Sequence, residues 1–482
     1  MSGRLGAACA LGLLLCGAAA AAAPLEERLD RALSHPALRG ARIAALVVRG
    51  EDGGVLYARD PDRELVPASN LKLLTALATL SVFGPAHRFA TDVYADAPPD
   101  AEGGVRHLYV RGGGDPTLTS EEMWRLAADL RRAGLRTVRE AIVLDASLFD
   151  GERWHPSWGK VSARAYNAPV SALMVNYGAF AVQVRAGDAP GESVRASLDP
   201  PVSFLRLSNR ARTVSPRSRG EPILERRSAG QFEDVLLSGD VRAGSEATYY
   251  RSVLDPVLYA GSVLELQLQA NGVAVSGALQ RGSVPEQAVP LLHFEGQPVA
   301  EVVRLFMKYS NNVIGESLVK ALAAHAGVVP ASWSAGIDAM RTELGGLGLP
   351  LDRLEFVDGS GLSYANHVAP RAFVAALLVA HRSFRFGPEF VSALPIGGVD
   401  GTLAERAEGA ADAVRAKTGN LTRVTGLSGY ARLPSGDVAI FSLLVNGYRS
   451  STQAAWDGVD GFVDALVAGE PARLAQELRP SP

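Results

Sequence analysis

Three short motifs, far apart and in a fixed order, constrain this chain more than any other feature. Ser69-Asn70-Leu71-Lys72 lies near the front, Ser310-Asn311-Asn312 falls later, and Lys417-Thr418-Gly419 lies near the back. Each joins hydroxyl, amide or ammonium groups that can work together only at contact distance. If they meet, front and back of the chain close on one another and the long stretch between is an excursion. Lysine usage supports a shared site, because five of the 48 basic residues are lysine, the other 43 arginine, and two of the five sit in these motifs. Arginine keeps its proton in proteins whereas lysine can lose it on burial. A chain that uses arginine nearly everywhere, and lysine here, needs an ammonium able to deprotonate.

The surrounding pattern suits such a closure. Leu25 to Leu33 reads as a short helix, followed by β-rich runs at Arg42 to Arg49 and Val55 to Arg59 around the turn signal Glu51-Asp52-Gly53-Gly54. Pro67-Ala68-Ser69 then opens the apolar run Leu71 to Leu80, a helix-start signal. At the back, Glu301 to His325, Ser334 to Leu347 and Arg371 to His381 read as helices. Three strands follow, at Ala413 to Thr418, Val424 to Leu433 and Val438 to Asn446, and a helix from Thr452 to Ala468 ends the ordered pattern. Between the two ends, Asp92 to Pro290 is strand-rich, and the polar, Arg-rich Arg210 to Arg227 reads as an exposed loop or hairpin. The chain thus reads as one α/β domain closed by both ends, with a mostly β insertion.

The first two dozen residues have another purpose. Arg4 supplies a positive start, Ala10 to Gly17 an apolar stretch, and Ala18 to Ala23 a small-residue end, the layout of a cleavable export signal over residues 1–23. Cys9 and Cys16, the only cysteines, would leave with it, so no disulfide or thiol chemistry is expected in the mature chain. The stretch is too short and too weakly apolar for a good transmembrane helix, and no integral membrane segment is expected after it. The formal net charge is −3 without long runs of one sign, which implies neither nucleic acid nor an anionic membrane as partner. The histidines show no metal-ligand spacing and no nucleotide-binding glycine motif follows a strand, so neither metal nor organic cofactor is expected.

Each motif also has a plainer reading. Two more S-x-x-K copies occur, Ser157-Trp158-Gly159-Lys160 and Ser317-Leu318-Val319-Lys320. Pro156 and Gly159 spoil a helical turn in the first. In the second, Glu316 and Lys320 read as an ordinary i,i+4 surface pair. Ser69 differs because it sits at a helix start, where Lys72 one turn on reaches its hydroxyl and the helix-end amides favour developing negative charge. Ser310 to Asn312 could be a loop or a cap, and Lys417 to Gly419 an edge strand entering a turn. In a site, that strand would pair with an extended peptide, Lys417 and Thr418 would meet its terminal carboxylate, and Gly419 would leave room for approach. Gly112-Gly113-Gly114-Asp115 reads as a structural turn, and Asp358 to Ser363 as a tight loop packed near the site.

Taken in order, S-x-x-K, S-x-N and K-T-G resemble the active-site signature of penicillin-binding proteins and serine β-lactamases. The chain is more narrowly similar to the D-alanyl-D-alanine carboxypeptidases/endopeptidases of the penicillin-binding protein 4 type (peptidase family S13). The resemblance rests on Pro67 to Leu73, Gly112-Gly113-Gly114-Asp115-Pro116, Asp358-Gly359-Ser360-Gly361-Leu362-Ser363, Leu394-Pro395 with Gly398 to Leu403, and Leu427-Ser428-Gly429-Tyr430. A long insertion between the first two motifs sets this family apart from β-lactamases. The resemblance implies an α/β, penicillin-recognising serine transpeptidase/β-lactamase-like domain, with a large, mostly β insertion of two nested domains. The expected division is 24–92 and 285–482 for the catalytic domain, 93–175 and 251–284 for a second domain, and 176–250 for a third nested in it.

It implies an exported, periplasmic enzyme of the bacterial envelope that hydrolyses peptidoglycan stem peptides and cross-links, and that β-lactams inhibit covalently. Ser69 would be the nucleophile and Lys72 the general base, deprotonated by burial and by the charge of Lys417. Ser310 would relay a proton to the leaving amine, and Asn312 would orient Lys72 and the substrate amide. Lys417 and Thr418 would hold the carboxylate, and the N–H groups of Ser69 and Asn420 would form the oxyanion hole. Two positions depart from the family pattern: Asn311 stands where Asp is common, and Asn420 where Thr or Ser usually follows Lys-Thr-Gly. A serine β-lactamase, or a non-catalytic β-lactam- or muropeptide-binding envelope protein, is the competing reading.

Overall fold

The computed structural model describes residues 23–468, so the expected signal peptide, apart from Ala23, lies outside the described residues. The chain ends meet in one five-stranded antiparallel sheet. Its strands are β1 (Arg42–Arg49), β2 (Val55–Arg59), β3 (Val414–Leu421), β4 (Val424–Arg432) and β5 (Val438–Asn446), in the order β3-β4-β5-β1-β2. β1 lies beside β5 with Ala44 opposite Leu444 and Val47 opposite Phe441. The continuous apolar run Ile43 to Val48 belongs to a strand covered on both faces. Its alternation divides two cores: Ala44, Leu46 and Val48 face one, Ile43, Ala45 and Val47 the other.

The second of these cores is closed by the chain termini. Helix α1 (Leu25–Leu33) contributes Leu29 and Leu33, and packs on the last helix, Thr452–Val467, whose Ala455, Val459, Phe462, Val463 and Leu466 form one apolar stripe. The first core surrounds α2 (Lys72–Phe83), which is buried on every side from Lys72 to Ser81. Against it pack α3 (Val299–Lys308), α4 (Asn312–His325), α5 (Trp333–Gly346) and α6 (Pro370–Arg382).

The single helix expected from Glu301 to His325 is two helices. The chain breaks at Tyr309-Ser310-Asn311, with Ser310 at φ 55° and the Asn311 side chain accepting the Ile314 N–H at 3.2 Å as the N-cap of α4. Apolar spacing continues across the break through Phe306, Met307, Val313 and Ile314, so periodicity alone does not reveal it.

The excursion leaves along Arg88–Ala95 and returns along Val289–Pro298, and these two strands pair with each other. They edge a mixed sheet with Gly104–Gly112 and Thr137–Asp145, which carries two helices, Ser120–Arg132 and Pro256–Ala270, packed together. Most of the other strands of the excursion form two further sheets. One holds Ala179–Arg185, Arg195–Asp199 and Glu246–Ser252. The other is built on Phe232–Arg242, which pairs with Pro222–Ala229 through a two-residue turn. Thus the last third of the Arg210 to Arg227 segment is strand, and Arg212–Val214 also pairs with Phe232–Arg242. The Gly112 to Pro116 segment is a structural turn: Asp115 is buried and accepts the Thr117 N–H at 2.8 Å. Among the described residues no helix is long and apolar enough to cross a membrane.

Candidate active site

Ser69 lies in a single 3-10 turn, Ala68–Leu71, that feeds directly into α2. The turn is strained, since Ala68 has φ 49°, in a region that L-residues avoid. Its neighbours hold it there. Gly361 packs so closely that a Cβ would be driven into the Ala68 carbonyl oxygen, and a Cβ on Gly419 would lie 2.7 Å from the Pro67 oxygen and against Asn70. The need for glycine at Gly419 therefore arises within the chain, where β3 rests on the nucleophile turn.

One turn on, Lys72 is fully buried, and its Nζ donates to Ser69 Oγ at 2.9 Å, Asn312 Oδ1 at 2.8 Å and the Ser360 carbonyl at 2.6 Å. Asn312 Nδ2 donates to the Tyr166 carbonyl at 3.0 Å, which turns the amide oxygen toward Lys72. All three partners of Lys72 are neutral. Burial therefore lowers the Lys72 pKa to about 7, against the upward pull of the Glu316 and Asp358 carboxylates. To that burial is added mutual repulsion with the ammonium of Lys417. That ammonium is also fully buried, and its pKa is pushed well down by burial first and then by Lys72 and Arg406.

A neutral Lys72 has two N–H donors and one lone pair. The Asn312 oxygen and the Ser360 carbonyl can take the two N–H groups, which leaves the lone pair for the Ser69 hydroxyl proton. Such an arrangement can pass a proton from the serine hydroxyl to the lysine amine.

Lys417 Nζ lies beneath β3 and donates to the Thr418 carbonyl at 2.8 Å, with the Thr418 hydroxyl at 3.4 Å. The Thr418 and Thr402 hydroxyls are 2.8 Å apart, which joins the Lys-Thr-Gly strand to the segment Gly398 to Leu403. That segment is anchored by Lys308, which donates to both Asp400 oxygens, at 2.6 and 2.8 Å, and to the Leu394 carbonyl at 2.6 Å. Lys308 ends α3, one residue before Tyr309-Ser310-Asn311, so it braces the second and third motifs against each other. Ser310 lines a cleft of about 590 Å³ with Asn312, Tyr309, Tyr166, Tyr250 and Gln183. Asn420 is exposed near the end of β3.

Residues outside the three motifs complete the arrangement. In the Asp358 to Ser363 loop, Asp358 is buried and accepts from Gly361 N–H, Ser363 N–H, the Asn366 amide and Trp158 Nε1, at 2.7 to 3.0 Å. Glu316 and Lys320 correct the sequence reading, because both are fully buried and neither is a surface residue. Glu316 accepts from Trp333 Nε1 at 2.7 Å and from the backbone of Gly359 and Ser360, while Lys320 pairs with Asp150 and the Glu152 carbonyl. The signal for Glu316 was its setting in Val313-Ile314-Gly315-Glu316-Ser317-Leu318-Val319, where little polar surface flanks it. The copy Ser157 to Lys160 is, as expected, off any long helix, with Gly159 at φ 67° and Lys160 exposed.

The same chain organisation occurs in known proteins. A family described as D-Ala-D-Ala carboxypeptidase 3 (S13) matches residues 25–466. The chain is 36% identical over 452 residues to a D-alanyl-D-alanine carboxypeptidase of Actinomadura sp. (strain R39), covering 89% of this chain and 82% of that one. It is 26% identical over 398 residues to D-alanyl-D-alanine carboxypeptidase DacB of Haemophilus influenzae, covering 80% and 81%. The fold superposes on the crystal structure of penicillin binding protein 4 (dacB) from Haemophilus influenzae with a TM-score of 0.78 at 22% identity, over 91% of this chain and 99% of that one. With a match over nearly its whole length and 36% identity to such an enzyme, the chain belongs to the D-Ala-D-Ala carboxypeptidase 3 (S13) family.

Proposed function

We propose that this chain is an exported serine D-Ala-D-Ala carboxypeptidase, with a related endopeptidase action on D-Ala-containing cross-links, acting on peptidoglycan peptides through an acyl-enzyme on Ser69. The supporting observation is the buried Lys72 amine, in contact with Ser69 Oγ and surrounded by neutral acceptors.

In acylation the Ser69 hydroxyl proton passes to Lys72 Nζ as Oγ bonds to the carbonyl carbon of the penultimate D-Ala. The backbone N–H groups of Ser69 and Asn420 stabilise the oxyanion. The bond from that carbon to the nitrogen of the terminal D-Ala then breaks, and the nitrogen takes a proton relayed through Ser310. Asn312 holds Lys72 and the substrate amide. The Thr418 hydroxyl meets the terminal carboxylate, with the Lys417 ammonium directly behind it, and the ladder position of Gly419 brings the peptide alongside β3. Water cleaves the ester and returns Ser69. β-Lactams acylate the same serine and are released slowly.

The expected domain division, with 24–92 and 285–482 forming the catalytic domain around 93–175, 251–284 and the nested 176–250, is proposed on the same footing. It is supported by the pairing of the strands that leave and re-enter. So is export to the periplasm, which the layout of residues 1–23 supports.

The test is the intact mass of the mature protein with and without benzylpenicillin, followed by peptide mapping and by D-Ala release from a D-Ala-D-Ala peptide. One stable adduct on Ser69 with D-Ala release is expected. Penicillin hydrolysed without an adduct would make the protein a β-lactamase. No adduct with penicillin intact would make it a binding protein.

A further inference from the structure

The Lys72 amine is placed in part by a backbone carbonyl, and that carbonyl is placed by a side chain outside the three motifs. Ser360 O accepts Lys72 Nζ at 2.6 Å. Peptide groups are planar, so a carbonyl is fixed when the planes on either side of its residue are fixed. The plane joining Gly359 to Ser360 is held at both edges: Ser360 N–H donates to Glu316 Oε1 at 2.8 Å, and the Gly359 carbonyl accepts from Thr75 Oγ1 at 2.7 Å. Gly359 N–H also donates to both Glu316 oxygens, at 3.1 and 3.2 Å. The next plane is tied by Gly361 N–H to Asp358.

Glu316 has no solvent exposure and forms no salt bridge among the described residues, because Lys320 on the same helix turns to Asp150. A buried, unpaired carboxylate is costly and is hard to account for by stability alone. We propose that Glu316 is a positioning residue for the general base. Its carboxyl group fixes the Gly359-Ser360 backbone, so that Ser360 O and Asn312 Oδ1 receive the two N–H groups of neutral Lys72. This rests on the Ser69–Lys72 reading given above.

The other charges facing the pair are few. Asp358 faces Lys72 from its loop and lies against Glu316, Lys417 faces Lys72 from β3, Lys320 faces Glu316 from α4, and His155 of the insertion faces Asp358. Burial lowers the Lys72 pKa and Glu316 opposes that effect. Burial and then Asp358 raise the Glu316 pKa to about 7, and the Trp333 hydrogen bond lowers it. Wherever Glu316 is ionised, its removal therefore leaves the burial of Lys72 less opposed, and Lys72 loses its proton at lower pH.

The experiment is the rate of benzylpenicillin acylation of Ser69 as a function of pH, by intact mass, in the full chain. Glu316→Gln is expected to lower the maximal rate about a hundredfold, through misplacement of Lys72, and to move the acid limb down by about one pH unit. Glu316→Asp keeps the charge but loses reach, so its rate falls with the limb unmoved. Trp333→Phe deletes one donor to Glu316 and moves the limb the same way by less, which provides a reading if Glu316→Gln does not fold. The proposal is overturned if Glu316→Gln reacts like the wild type, if its limb stays in place, or if Glu316→Asp moves the limb equally. Wild-type protein that is not acylated on Ser69 would overturn the nucleophile assignment instead.

Discussion

Four of the five lysines are buried, and their partners divide them into two kinds. Lys308 and Lys320 each have a carboxylate, Asp400 and Asp150, and act as braces. Lys72 and Lys417 have only neutral hydrogen-bond acceptors, so burial works against their charge. Since only deprotonated Lys72 can take the Ser69 proton, acylation by benzylpenicillin should rise with pH to a plateau above about 7 and fall about tenfold per unit below it. Lys72→Ala should lower the plateau about a thousandfold with the fold retained, as read by acylation rate and circular dichroism. The meeting of Ser69, Lys72 and Asn312 was legible because motif order, helix position and scarcity of lysine converge on it. Glu316 was not, because its four-residue spacing from Lys320 is that of any surface ion pair. The pattern cannot tell that the two side chains turn to different partners.

At the scale of elements, the site depends on close approach of backbone to backbone. The nucleophile turn is pressed between β3 at Gly419 and the Asp358 to Ser363 loop at Gly361, and it holds Ala68 in a left-handed conformation. Gly361→Ala should push on the Ala68 carbonyl. It should destabilise the protein by about 1–3 kcal/mol and slow acylation at least as much as its effect on urea unfolding implies. Ser310 also sits at positive φ, in the break between α3 and α4. That break was hidden because apolar residues continue at helical spacing on both sides, whereas the Asn311 cap is a local event. Helix Pro256–Ala270 was hidden for the opposite reason, since it is buried nearly all round and has little amphipathic rhythm.

Across the whole molecule, the excursion reaches the residues around Lys72 directly. The Tyr166 carbonyl orients Asn312, Trp158 donates to Asp358, and Asp150 holds Lys320. Asp150→Ala would leave the Lys320 ammonium buried over the Trp333 ring with one carbonyl partner. It should cost about 2 kcal/mol, less than for a fully enclosed pair because Asp150 keeps some solvent contact, and the midpoint of urea unfolding measures it. The closure of front on back was legible in motif order alone. The sheets of the insertion were less so, because strand pairing is set by partners distant in sequence.

The paired strands at the root of the insertion also bear on how the chain finds its fold. Ala95 lies opposite Val289, so the two points where the excursion begins and ends are neighbours. A long disordered tether between β1 and β5 would impose a loop-closure cost on their pairing. An excursion that folds first would shorten that tether, because the loop left to close runs only through residues 50–95 and 289–437. The route to the active site then begins in the segment farthest, along the sequence, from either end.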